Sequence, residues 1–528
     1  MPLFYINKNL IKVPSKIATT LKRHTPKHIL EAIHKDIDVA IELCLIFTTQ
    51  LTSTYFDVKD IDSDNPEGWK SLKAQYLREL ISVNPMAYKH VIEALEYPTA
   101  KGQIIECDHE RIIGQKNFHY KLGKEYIGKG IVEYEIKTKE ALTVLNRHYY
   151  RMLSTSNKNV ICKNLIHLYG NVTLPAEEQI LKEAKRLIKL GYKTKKGKKL
   201  TFLNKHSKDY FKDAHSRSFV EDSLEIFHYL TDNGLMIPTP SNERNGGRVI
   251  DSLTLMPSWI RNLVKINGKS FIECDFSALH PNIAIALWGG NKRFIIHGDL
   301  TNELGIEVDE IKVEHLSFFN KNVWGMKESK LYNYYVEKEP VMIKNIIQEK
   351  KTSAFGYKIT SRKMFKKEVE IMTEVIEVLN SKGIYVLYVY DALLSLPKDA
   401  DIVLRVMDDI VLKHGVYTEA KCSSGNKYNP LTAHVKDKRL DKHIIEKITQ
   451  PKQKTEILIV PVTQINCSLS IKEEILERVG NGEVLEFKDA LIKFDDGYAY
   501  DDKILEYHDV INPQFKYVAY SRIFGKVA

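Results

Sequence analysis

The chain has 528 residues, a net charge of +10 and 43% hydrophobic residues, which is enough for two to four domains with cores of their own. It has no run of eighteen or more apolar residues; the longest candidate, Val39 to Phe47, is interrupted by Glu42 and is too short to span a bilayer. Met1 to Lys8 lack the basic-then-apolar plan of a signal peptide, and the six scattered cysteines form no CxxC pair, which argues against a zinc ribbon or a disulfide framework and for a soluble protein of a reducing compartment.

Residues 1–230 read as a mostly helical, basic N-terminal region. From Ala87 to Tyr97 the apolar Val91, Ile92 and Leu95 share one helical face. Two strands around a turn near Gly114 follow. A helix and then a basic hairpin within residues 75–125 is the plan of a winged helix, and equally of a packing hairpin. Asp108-His109-Glu110 follows an apolar strand as the first acids of a proofreading exonuclease would, but no partners at suitable spacing follow, so exonuclease activity is not expected.

Between Lys182 and Arg217 there are thirteen Lys or Arg against three acids, with Lys195, Lys196, Lys198 and Lys199 at the centre. Such a density suits a polyanion, because neutralised phosphates release counterions; a solvated, Lys-rich helix and loop is the other reading. The stretch 175–230 is thus a thumb-like, DNA-contacting candidate.

Strands, turns and helices alternate over 231–440. Pro451 to Lys454 reads as a linker, and 441–528 as a small α+β domain with strand ILIVPV, helix IKEEILERV and strands near LIKF and YAY. That domain carries no interpretable motif.

The chemistry-bearing residues fall in the middle region. The strand Phe271 to Cys274 delivers Asp275 and leads straight into a helix, and the β-rich Ile384 to Val389 delivers Tyr390-Asp391 before Leu393 to Leu396. Side by side, these strands would juxtapose Asp275 and Asp391, a costly arrangement unless divalent cations bridge them, as in two-metal phosphoryl transfer. Taken alone, they read rather as two strand-end aspartates capping unrelated helices.

Over roughly residues 245–430 the sequence resembles the family A DNA polymerases, with several motifs in the same order. Gly247-Arg248, Leu255, Pro257, Ile260-Arg261 and Gly268 lead into Asp275 as the family's T-G-R, N-L-Q-x-I-P and I-R elements lead into its D-Y-S. Gly298-Asp299-Leu300 and Glu303 to Ile306 resemble the segment before the fingers helix. Lys312 to Met326 resembles that helix itself, with Trp324-Gly325-Met326 in place of Tyr-Gly-Met. The helix FKKEVEIMTEVIEVLNS, containing Glu368, Glu370 and Met372 and ending at Lys382-Gly383, precedes Asp391 as the family's helix precedes its His-Asp-Glu. DFSALHPNI also resembles a family B motif, but neither the Lys-x-x-x-Asn-Ser-x-Tyr-Gly nor the Tyr-x-Asp-Thr-Asp-Ser of that family follows.

The resemblance implies an α/β (α+β) multidomain chain: a polymerase palm with an antiparallel sheet plus helical fingers over 231–440, preceded by the helical region. It implies a DNA-templated DNA polymerase of phage or mobile-element type, adding dNTPs to a primer 3′-hydroxyl in the cytoplasm of a bacterium or a phage-infected cell. Two Mg²⁺ would be held by the catalytic Asp275 and Asp391 and by the backbone carbonyl of Phe276. Arg248 and Arg261 would touch primer–template phosphates, Lys312 would grip the triphosphate and Trp324 would stack near the templating base. Leu316 stands where the family has its essential Lys, and His315 is the nearest basic substitute. Tyr390 and Ala392 replace the His and Glu that flank the family's second Asp. A bulky His280, five residues after Asp275, stands where DNA polymerases exclude the ribose 2′-hydroxyl. The alternatives are an RNA polymerase or primase on the same palm, or a non-catalytic nucleic-acid-binding replication protein with a decayed palm.

Overall fold

The computed structural model describes residues 9–59, 65–110, 117–127, 130–194, 197–203, 216–241, 245–291, 295–424, 484–487 and 490–493. The chain divides into two compact units, Met1–Arg439 and Leu440–Ala528. In the second, an antiparallel pair of strands, Val484–Phe487 and Ala490–Lys493, is described; the expected ILIVPV strand, IKEEILERV helix and YAY strand lie outside the described residues, as do the Pro451–Lys454 linker and Gly114.

The first unit is α+β, with small and mainly antiparallel sheets and two apolar cores. The N-terminal core, residues 11–145, is organised around helix α1 (Ile37–Thr48), in which every residue from Val39 to Thr48 is buried. Asp36 starts this helix by accepting hydrogen bonds from the amides of Asp38 and Val39, a cap of about 1 kcal/mol. Glu42, the acid that interrupts the apolar run, takes the amides of Lys137 (2.8 Å) and Thr138 (2.9 Å), the Thr138 hydroxyl and the Tyr134 hydroxyl. Its burial is thereby compensated. No helix among the described residues is long and apolar enough to cross a membrane.

Strand β1 (Leu10–Pro14) closes the N-terminal layer by pairing with the later strand Ile131–Glu135. Helix α2 (Ala87–Glu96) is followed by an antiparallel hairpin, β2 (Ile105–Cys107) with β3 (His119–Leu122). Asp108 has a structural role there: its carboxylate accepts the His119 amide at 3.0 Å and meets the His119 ring at 2.9 Å, closing the hairpin.

The larger core, residues 161–422, carries the four-stranded antiparallel sheet. In chain order its strands are β4 (Ile272–Phe276), β5 (Leu387–Val389), β6 (Ala392–Ser395) and β7 (Ala420–Ser424), and in space they run β5-β6-β4-β7. Sharing this core is α3 (Ile359–Ser381), whose buried stripe runs Met364, Glu368, Ile371, Met372, Val375, Ile376, Leu379. Gly383 ends it in the left-handed region at φ 72°, with its amide on the Asn380 carbonyl, and the chain then turns into β5. Cys274 and Cys422, cross-strand partners on β4 and β7, are free thiols with sulfurs 2.9 Å apart.

Candidate active site

The register of the sheet brings the two aspartates to one end. On β4, Asp275 pairs with Ala392 of β6, and Asp391 immediately precedes Ala392 in the tight turn Tyr390–Asp391 between β5 and β6. Tyr390 adopts φ 60°, a conformation that costs a bulky residue about 1–3 kcal/mol and that clusters at functional turns. On its other edge β4 pairs with β7, where Lys421 is opposite Asp275 and Ala420 is opposite Phe276.

Behind the turn lies a charge network that sequence reading missed. Glu368, fully buried on α3, is gripped by Arg248 through Nε (2.8 Å) and a terminal nitrogen, and by His280 Nε2 at 2.7 Å. The Arg248 guanidinium also lies 3.8 Å from the Phe365 ring centre and 4.8 Å from that of Tyr390. Gly246 makes this approach sterically feasible: at φ 66°, a Cβ there would lie 2.4 Å from the backbone nitrogen of Lys366.

Burial works against the charge of Glu368, but the His280 hydrogen bond and Arg248 more than offset it and hold its pKa below the usual range. Asp391 responds in the opposite sense. Burial, then the nearby Glu368, raise its pKa against the pull of His280 and Arg248. The signal available in sequence was an acid at position 368 on an otherwise apolar helical stripe, which demands a partner.

The other expected site residues divide. Arg261 is buried, with its guanidinium on the Leu253 and Met256 carbonyls at 3.0 and 3.4 Å, so in this conformation it is turned away from any phosphate. Arg248 is likewise committed to Glu368. His315 is buried between the Nδ1 of His297 (3.1 Å) and the Tyr335 hydroxyl (2.7 Å); burial and His297 push its pKa down to about 3. A neutral, enclosed imidazole is unsuited to gripping a triphosphate. Lys312 is exposed, and with Lys421 it lies close enough to add to burial in lowering the pKa of His297 to about 4.

The expected single fingers helix is two helices, α4 (Val308–Phe318) and α5 (Val323–Lys327), which precede α3 in the chain. The break has a local cause. The buried Lys350 ammonium takes the Phe319 (2.8 Å) and Lys321 (2.5 Å) carbonyls, and the Asn322 side chain caps α5 on the Gly325 amide. Trp324 on α5 is 70% exposed. Lys199 begins the short strand Lys199–Thr201, paired in parallel with Arg217–Phe219, and Lys198 precedes it after the turn at Gly197. Lys195 and Lys196 lie outside the described residues, and nothing is described of the side chain of Leu316.

No family model matches the chain, and no curated protein does. Among solved structures it is similar to the POL domain of Pol1 from M. smegmatis, in complex with DNA primer-template and dNTP. The TM-score is 0.33 and the identity 11%, over 54% of this chain and 73% of that one. A likeness that loose leaves the function to be argued from the site itself.

Proposed function

We propose that the sheet β5-β6-β4-β7 is the palm of a DNA-templated DNA polymerase of compact phage or mobile-element type, acting on a primer–template with dNTPs. The observation that carries this reading is the pairing of Asp275 with Ala392, which sets Asp275 beside the Asp391 turn. The carboxylate of Asp275 on β4 and that of Asp391 in the turn before β6, with the Phe276 carbonyl, would make a set of hard oxygen donors suited to Mg²⁺. The raised pKa of Asp391 marks a site where a cation would restore the charged form. Bound there, Mg²⁺ would activate the primer 3′-hydroxyl and neutralise the triphosphate.

In this reading the chain's own residues orient the substrates. Lys312 and Lys421, both within electrostatic reach of His297, are the cations for the triphosphate, in place of the enclosed His315. His280, held by Glu368, limits the space at the sugar and favours deoxynucleotides. Arg248 positions Glu368 and His280, and Trp324 is exposed for stacking on a template base. Among the lysines of the basic segment, the exposed Lys199 would meet duplex phosphates.

Asp275→Ala and Asp391→Ala should each abolish primer extension while leaving salt-sensitive DNA binding in place; normal extension by either variant would refute the site. His280→Gly should raise rNTP incorporation relative to dNTP, and unchanged selectivity would remove the gate. The enclosure of His315 favours one competing reading, a decayed palm that binds nucleic acid without catalysis. Wild-type protein that binds primer–template yet adds no nucleotide would establish it.

A further inference from the structure

The α2–hairpin segment brings together three side chains that nucleotidyl transfer does not use. Glu96 ends α2, Cys107 ends β2, and His109 lies two residues beyond. One ligating atom from each lies within 4.8 Å of the others: a carboxylate oxygen, the thiol sulfur and a ring nitrogen. His109 reaches this position through φ 50°, a conformation uncommon for a residue with a side chain. Its Nε2 is 3.0 Å from Glu96 Oε1. The Cys107 sulfur accepts the His109 amide at 3.4 Å and the hydroxyl of Tyr120, its cross-strand partner. Donors converging on one sulfur are the kind of outer contacts that orient and tune a metal-bound thiolate. Asp108, between the ligands, is directed to His119 instead.

We propose that Glu96, Cys107 and His109 bind one zinc-class divalent transition-metal ion. Thiolate and imidazole beside one carboxylate select Zn²⁺ or Co²⁺ over Mg²⁺ and Ca²⁺, which take oxygen donors. His109 is 70% exposed at its side chain and Glu96 16%, so the fourth position faces solvent and takes water. On binding, the sulfur–hydrogen bond breaks, the proton leaves to water and a sulfur–metal bond forms. The His109–Glu96 hydrogen bond opens and its Nε2 proton passes to water; the ring, protonated from water at Nδ1 instead, ligates through Nε2, and the carboxylate turns to the ion. The ion then ties the end of α2 to the hairpin, fixing the angle between the two. This site is independent of the polymerase reading.

The test is a Co²⁺ titration of the metal-free full chain in a Cys467→Ser background. That substitution removes the cysteine outside the described residues; Cys44, Cys162, Cys274 and Cys422 are buried. One equivalent should bind with a thiolate-to-cobalt charge-transfer band, bleached by Zn²⁺ and indifferent to excess Mg²⁺. Cys107→Ser should abolish the band. His109→Ala and Glu96→Gln should weaken binding by more than the ~10–100-fold typical of losing an outer contact. Zn²⁺ should raise the Tm of the parent and not of Cys107→Ser. Cobalt bound without the band, or a band that survives Cys107→Ser, overturns the assignment. If Cys107→Ser does not fold, His109→Ala decides: its ring is exposed, and unchanged affinity there overturns the proposal. Cobalt held by Asp275 and Asp391 would give no thiolate band, so failure here and failure of the polymerase reading are separable.

Discussion

Glu42 in the N-terminal core and Glu368 in the sheet-bearing core are both nearly inaccessible, at 2% and 0% exposure, yet their partners differ in kind. Glu42 is held mainly by the backbone amides of Lys137 and Thr138 and by hydroxyls, groups of fixed protonation. It works as a clamp that fastens α1 to the start of the helix Lys139–Ser156, whose N-cap is Thr138. Glu368 is held by Arg248 and His280 and lies within electrostatic reach of Asp391. Its charge is shared with groups that face the candidate site. A buried acid satisfied by backbone serves the fold, whereas one satisfied by ionisable side chains at a strained turn links the fold to the site.

Arg248→Met should have the largest effect on stability, about 3 kcal/mol, because Glu368 would stay buried with only His280. Equilibrium unfolding of the single variants and of Arg248→Met with Glu368→Met gives the coupling. The double variant should recover most of the loss, and strict additivity would show that the pair is not coupled. Glu42→Ala should cost somewhat less, about 2 kcal/mol, by leaving buried amides without acceptors. It should not alter nucleotide selectivity, whereas Arg248→Met should, through His280.

The smallest effect is expected at Asp391, and its sign is informative. A carboxyl whose folded-state pKa is raised contributes stability while protonated, below the ordinary carboxylate range, and that contribution is lost as pH rises through the raised value. Asp391→Asn should therefore raise the metal-free Tm at neutral pH, with the gain shrinking as pH falls into the carboxylate range. A lowered Tm at neutral pH would contradict the network. Mg²⁺ should raise the Tm of the wild type more than that of Asp391→Asn.

The parts of this site legible in sequence were those set by local rules. The strand-forming residues that deliver Asp275 and Asp391 and the Gly383 stop of α3 follow from strand composition and capping; the tight turn at Tyr390–Asp391 was not among them. What sequence left hidden was joined over long separations. Arg248 and Glu368 meet through a close backbone contact at Gly246; His315 is enclosed by His297 and Tyr335; Lys350 breaks the fingers helix from another element. Asp108 and Glu110 have the D-x-E spacing of a nuclease acid pair, while Cys107 and His109, alternating with them, meet Glu96 in space.

The most direct test of the central claim is single-nucleotide incorporation by the wild-type chain on a primer–template with Mg²⁺, presenting each templating base in turn. The complementary dNTP should be added in each case and the matching rNTP strongly disfavoured. Tight, salt-sensitive binding of the primer–template with no incorporation of any nucleotide would contradict it.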